Sequence, residues 1–368
     1  MQESIDAFND SDYLLIAALQ VAPRADWQSI GAALGIDGTT AARRWSRLEK
    51  AGVAWLSCRP AQIEGRSAHA ALIEVDCEPS QLHEVARTIG NDRHVLNLEQ
   101  VTGGRNLIVM AIFTDLAQFA RYRDFRLADI PGVTGSQAQL LTVLHSDASR
   151  WRVDRLDEVK LNRLTQGGKP RSEYLPARAV TNRDLPLARA VSDNPRASLA
   201  ELAKETGLSP ATVRRRLAAF EAEQALLYRV EVARVVSGWP IGVHLWCRTA
   251  PSDTARIGRE FAQLRETRIC GELTGPDNLL LAVWLRSIVD LANFEKRIGE
   301  RFPEVTIADR AVTLWPVKLG AHLLDPHGRH LRGVPLRMWD DTEYVARQQE
   351  AVSRLATEPG ADAVAVWG

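Results

Sequence analysis

ASLAELAKETGLSPATVRRRLAAFEA, residues 197–222, reads as helix, tight turn, helix. Ser198 and Glu201 stand three apart ahead of an apolar run, the spacing of a capping box. Gly207 supplies the left-handed residue that ends a helix. Ser209 and Pro210 then suit the cap and first position of the next one. Along it Val213, Leu217 and Phe220 recur at helical spacing and predict a buried stripe. Thr212, Arg215 and Arg216 lie on the opposite side, with Arg214 at the edge. A basic, hydroxylated helix of this kind fits the major groove of DNA, where arginine contacts phosphates and guanine edges.

The same pattern occurs earlier in the chain. ADWQSIGAALGIDGTTAARRWSRLEK, residues 25–50, aligns without a gap at an offset of 172 positions. Gly35 meets Gly207, Thr40 meets Thr212, and Arg43 and Arg44 meet Arg215 and Arg216. Asp26 and Asp37 are the expected caps, and Ala41, Trp45 and Leu48 the buried stripe. The offset of 172 returns where VTGGRNLIVMAIF (101–113) lies over LTGPDNLLLAVWL (273–285). A shared offset in two separate blocks marks an internal repeat covering 12–146 and 184–318. Third helices over 38–50 and 210–222 are the expected reading elements. Thr39, Thr40, Arg43, Arg44, Arg47, Ser209, Thr212, Arg214, Arg215 and Arg216 are the candidate DNA contacts. Asp37 makes the first head the weaker reader, since an acid repels phosphate at the helix start.

Between and after the reading heads the pattern is strand, helix, strand, turn, strand, helix, strand. In the first copy the strands fall near 68–76, 94–102, 106–113 and 136–145, and the helices near 79–90 and 115–127. In the second, strands near 241–248, 267–274, 279–285 and 306–315 alternate with helices near 252–264 and 289–301, the former opened by Ser252 and Asp253. This βαββαβ order is the ferredoxin-like motif. Its open sheet face needs a cover, and a second sheet is the simplest one. The predicted class is α+β: two tandem copies of a winged-type helix-turn-helix domain, each followed by a ferredoxin-like sensor of the RAM/AsnC type. The expected boundaries are 12–58 and 59–146 for the first copy and 147–182 for a connector. The second copy takes 183–234 and 235–318, and a C-terminal tail takes 319–368. Within the connector, 154–165 is expected to be helical and 167–173 a flexible linker.

Composition agrees with several soluble domains: 368 residues, 45% apolar and 25% charged, with a net charge of zero. No apolar run approaches a membrane span, so no membrane partner is expected. Cys58, Cys77, Cys247 and Cys270 have no CxxC spacing, which predicts reduced thiols and a cytoplasmic location. Tail residues His322, His327 and His330 have no cysteine nearby, and no metal or cofactor is expected there. Residues 341–356 have the pattern of an amphipathic helix packed on the body.

The head motif ELAKETGLSPATVRRRLAAFE (201–221) and the sensor turn LTGPDNLLLAV (273–283) resemble the Lrp/AsnC (feast/famine) transcription regulators, here in tandem-duplicated form. That resemblance implies sensor domains that pair sheet to sheet and assemble further, with effectors such as amino acids bound near the hairpin turn. Carried over, the effector residues are Thr102, Gly103, Arg105 and Asn106 in one copy and Thr274, Gly275, Asp277 and Asn278 in the other. Turn chemistry alone is the plainer reading of the same residues. Two copies in one chain would form the usual dimer intramolecularly, with heads one DNA turn of about 34–36 Å apart, and would homo-oligomerise further.

The function read from the sequence is a sequence-specific regulator of double-stranded DNA, answering to a small effector, and not an enzyme. Two alternatives remain. Some haem-biosynthesis decarboxylases resemble this fold and occur fused in pairs. A siroheme-type tetrapyrrole decarboxylase would need histidine and arginine lining its sensor pocket, where the sequence offers only Arg93 with His94 and a lone Arg268. A sensor or scaffold that has lost DNA binding is the other.

Overall fold

The computed structural model describes residues 8–65, 67–148, 151–153, 156–165, 178–337 and 344–357. The GGKPRSE linker lies outside them. The first head consists of α1 (Asp10–Val21), α2 (Trp27–Leu34), α3 (Gly38–Lys50) and strand β1 (Ala54–Pro60). Asp26 and Asp37 cap α2 and α3, and Gly35 takes the left-handed conformation between them. The first sensor region contributes β2 (His69–Cys77), α4 (Leu82–Gly90), β3 (Val95–Val101), β4 (Leu107–Phe113), α5 (Leu116–Arg121) and β5 (Val133–Ser146). A π-helical turn, Tyr122–Leu127, continues α5. A short helix α6 (Glu158–Thr165) follows in the connector.

The second head repeats the plan with α7 (Leu185–Asp193), α8 (Leu199–Thr206), α9 (Pro210–Ala222) and β6 (Leu226–Val232). The Ser198–Glu201 capping box, the Gly207 turn and the Ser209 cap with Pro210 at the first position are all present. After a single-turn helix α10 (Arg234–Ser237) come β7 (Ile241–Arg248), α11 (Pro251–Phe261), β8 (Thr267–Leu273), β9 (Leu279–Leu285), α12 (Asp290–Arg301) and β10 (Thr306–Leu319). One start differs from expectation: α11 opens at Pro251 after Ala250, with no side-chain cap, because proline itself sets the first helical turn. The tail adds β11 (His322–Leu324), β12 (His330–Gly333) and α13 (Val345–Thr357).

The two sensor sheets do not stack as separate layers with open edges. They join at both edges into one closed ring in the order β10-β3-β4-β2-β5-β8-β9-β7, with β7 returning to β10. Closure removes the exposed strand edges that an open sheet would leave. The two seams correspond. Leu141 of β5 faces Leu273 of β8, and Thr313 of β10 faces Val101 of β3, each pair displaced from the other by the offset of 172. Thr102 and Thr274 finish the seams alike. Thr102 gives its amide to the Val312 carbonyl and accepts the Val312 amide on Oγ1, and Thr274 does the same with Leu140, all at 2.9 Å.

The heads join by a second pairing. β1 and β6 form an antiparallel ribbon in which Ala54 faces Val232 and Pro60 faces Leu226. At its centre Ser57 faces Arg229, its own counterpart at the offset of 172, so an approximate twofold axis passes through that pair. Arg24 and Arg196 are counterparts too, and each reaches into the other head. Arg196 donates to the Pro23 and Ala25 carbonyls at 2.6 and 2.9 Å; Arg24 donates to those of Pro195 and Ala197 at 2.5 and 3.0 Å.

Separate apolar cores lie under each sensor's helices, one around Ile73, Ile89 and Phe113 and the other around Phe261, Phe294 and Phe302. Helix α13 packs on the body through the ion pair of Arg347 with Asp129 and a 2.8 Å bond from Arg121 to Gln348. All four cysteines are buried and lie outside any disulfide. Among the described residues no helix is long and apolar enough to cross a membrane.

One close approach fixes how α11 sits on the barrel. A Cβ on Gly258 would stand 2.3 Å from the His145 ring, which is itself held by a 2.9 Å contact to Glu272. Gly258→Ala is therefore expected to destabilise the protein by about 1–3 kcal/mol despite alanine's better helix propensity, read as a lower urea midpoint. An unchanged or raised midpoint would show that the ring moves aside freely.

Candidate functional site: reading heads and interdomain cleft

The third helices end up as their sequence suggests, but their arginines divide into two kinds. Arg43, Arg214 and Arg215 are exposed and make no ion pair among the described residues. Arg44 and Arg216, counterparts at the offset of 172, turn inward instead. Arg44 lies 3.8 Å from Asp12, and Arg216 lies 2.8 Å from Asp184. Asp12 and Asp184 are themselves counterparts. Asp12 is wholly buried and also takes a 2.6 Å ion pair from Arg47. These pairs fasten the third helix to the first. The hydroxyl residues divide likewise. Thr39 is bonded to the Asp37 cap, and Ser209 and Thr212 share a 2.9 Å bond at the start of α9, while Thr40 is half-buried.

The sensor-turn residues are engaged in holding the fold. Asn106 Oδ1 accepts the Cys77 amide at 2.8 Å, and Asn278 Oδ1 accepts the Thr249 amide at 3.0 Å. Thr102 and Thr274 close the seams described above. Gly103 and Gly275 carry φ of 104° and 152°. Arg105 pairs with Glu74 and Asp309 and lies 4.4 Å over the Trp246 ring. Asp277 pairs with Arg248 at 2.8 Å.

A cleft of about 1140 Å³ lies elsewhere, between the β1–β6 ribbon, the barrel and the tail, and none of those eight turn residues lines it. Its barrel wall is apolar, with Ala70, Leu96, Met110 and Ile112 from the first sheet and Leu141, Leu144 and Ile269 beside them. The ribbon contributes Arg59 and Arg229, the tail His322, and the end of α7 Ser192 and Asp193. Arg59 lies 3.5 Å from Asp147, also in the wall. Arg229 contacts Glu231, and burial beside Arg268 pushes it down to about 9, so it stays charged at neutral pH. Arg268 meets the same Glu231 carboxylate at 2.9 Å.

Burial, together with the nearby His330, Arg229 and Lys318, pushes His322 down to about 3 and keeps its imidazole neutral. Its Nδ1 is shielded from solvent and has no hydrogen-bond partner. His330 lies 4.8 Å away, stacked on Trp55, and likewise has an unpartnered ring nitrogen. No three metal-ligating side chains gather among the described residues. The sequence reading looked for histidine and arginine in the sensor sheets, at Arg93, His94 and Arg268. His94 instead stacks on Phe113, and the cleft draws its arginines from the ribbon and its histidine from the tail.

Three family descriptions match parts of this chain: an AsnC-type helix-turn-helix domain at 9–49, an Lrp/AsnC ligand binding domain at 70–143, and a winged helix-turn-helix DNA-binding domain at 189–224. No curated protein matches. Among solved structures, the siroheme decarboxylase NirDL is 13% identical with a TM-score of 0.54, covering 95% of this chain and 100% of its own. NirDL in co-complex with an iron-uroporphyrin III analogue is 14% identical at a TM-score of 0.53, covering 94% and 100%. E. coli AsnC is 12% identical at 0.31, covering 37% and 92%.

The expectation of a protein that is not an enzyme is overturned here, because the fold over almost the whole chain is that of an enzyme. The chain nonetheless carries the domains of ligand-responsive DNA-binding regulators. The chain thus carries an AsnC-type helix-turn-helix domain and an Lrp/AsnC ligand binding domain, as Lrp/AsnC regulators do.

Proposed function

We propose that the chain is a decarboxylase of a carboxylate-rich iron tetrapyrrole, acting in the cleft between ribbon and barrel. The carrying observation is the combination of an apolar barrel wall with Arg59 and Arg229 in one solvent-open cleft. The whole-chain likeness to a siroheme decarboxylase supports the same reading. A flat macrocycle would lie on Leu96, Met110 and Ile112 while guanidiniums grip its carboxylates. Loss of CO2 leaves the electron pair of the broken C–C bond on the side-chain carbon, which then takes a proton. His322, a neutral imidazole with an unpartnered ring nitrogen, lines the same cleft.

A second reading has its own support. Exposed Arg43, Arg214 and Arg215 on the third helices suit sequence-specific contacts with double-stranded DNA, answering to a ligand in the chain. The Arg24–Arg196 exchange would present the two heads at one fixed spacing. The tandem origin of the halves, a cytoplasmic location and further homo-oligomerisation belong to the same proposal. An effector at the Thr102–Asn106 and Thr274–Asn278 turns has less support, since most of their side chains are already bonded within the fold.

Titration of the purified protein with iron uroporphyrin III is expected to shift the porphyrin absorbance, and Arg59→Ala to weaken binding about 10- to 100-fold through loss of a charge-assisted bond. Incubation with siroheme should release CO2, with a matching mass loss. No spectral change and no CO2 would sink the decarboxylase. For DNA, each phosphate contact contributes about one unit of salt slope, so Arg215→Ala should lower that slope by roughly one. A wild-type protein that shifts no DNA in gels ends the second reading. Stability should also fall from pH 6.5 down to about 3, because the unfolded chain protonates His322 there while the folded one does not. His322→Asn should flatten this decline, and an equally steep decline in the variant would assign it elsewhere.

A further inference from the structure

The approximate twofold axis demands a second cleft beside the first, across the axis, and the structure has filled it. About 330 Å³ remains there, against about 1140 Å³ on the open side. The difference follows from residue pairs at the offset of 172. Open-side Ala70, Leu96, Met110 and Ile112 correspond to Gly242, Arg268, Ala282 and Trp284. Arg268 is buried with its guanidinium 3.8 Å from the Trp284 ring centre and 4.8 Å from that of Trp151, and it donates to Glu231 at 2.9 Å. Trp151 meets Trp284 edge-on at 5.3 Å.

Arg234 adds a second layer. It donates to Glu99 at 2.9 Å, and the same carboxylate contacts His244 at 3.2 Å and accepts from Thr313 at 2.5 Å. Gly242 makes room for it: a Cβ there would lie 2.7 Å from the Arg234 Nη1. Arginine is thus met by the chain's own carboxylates, Glu99 and Glu231, on the sealed side. On the open side Arg59 and Arg229 also meet carboxylates, Asp147 and Glu231, yet both still line the open cleft.

We infer that this chain binds one carboxylate-rich ligand and not two, because Arg234, Arg268, Trp284 and Trp151 form a permanent plug in the cleft related by the twofold axis. The inference rests on the decarboxylase reading for its ligand and adds which half of the barrel is used. Arg268 and Trp284 become fold-holding residues, and Leu96 and Ile112 become determinants of binding.

The porphyrin titration tests this when run to saturation at known protein concentration. A break at one equivalent per chain is expected. Ile112→Trp, which copies the plug into the open cleft, should abolish the spectral shift while leaving the circular dichroism unchanged. The double variant Arg268→Leu, Trp284→Ile should move the break toward two equivalents if it folds. A wild-type break at two equivalents would overturn the inference and leave the decarboxylase reading standing. So would full binding by a folded Ile112→Trp protein. No shift with wild-type protein would overturn both.

Discussion

Ring closure of the eight-stranded sheet is the constraint on which the other arrangements depend. Neither four-stranded half can be complete alone: β5 needs β8, and β3 needs β10. Each half has two free edges and an uncovered face that only the other satisfies. Once both seams are made, an approximate twofold axis is imposed on the barrel. The heads then meet through the β1–β6 ribbon, and the Ser57–Arg229 pair marks the same axis outside it. The space enclosed between ribbon and barrel is the cleft, so its existence follows from the two closures and its openness from the side chains on each side.

Much of this architecture was readable in the sequence because local signals agreed. Ser198 with Glu201, Gly207, and Ser209 with Pro210 each specify backbone conformation within a few residues, and the third helices run as expected from 38 to 50 and 210 to 222. Strand positions followed from apolar runs bounded by turns. Ring closure was not readable. It depends on which strand edges meet between remote segments, and no local pattern encodes that. The tail hairpin, β11 with β12, was missed because strands of three and four residues are too short to show an alternating pattern.

The site was less legible. The repeated arginine pair suggested two outward contacts in each head, yet Arg44 and Arg216 serve Asp12 and Asp184. A repeat preserves folding contacts as readily as binding ones, and the signal was the matching acid at the start of each first helix. The repeated Thr and Asn of the sensor turns have the same explanation in seam and turn bonds. Arg59, Arg229 and His322 come from three segments whose meeting depends on the fold, so no spacing in the sequence could have grouped them.

The placement of both halves in one chain has a consequence for behaviour on dilution. A barrel assembled from two separate subunits falls apart as concentration drops, because its stability carries a mass-action term. Here the partner edge is always present at the effective concentration that the connector sets. The cleft should therefore persist in a single molecule at any dilution, and its ligand affinity should be independent of how much protein is in the cuvette.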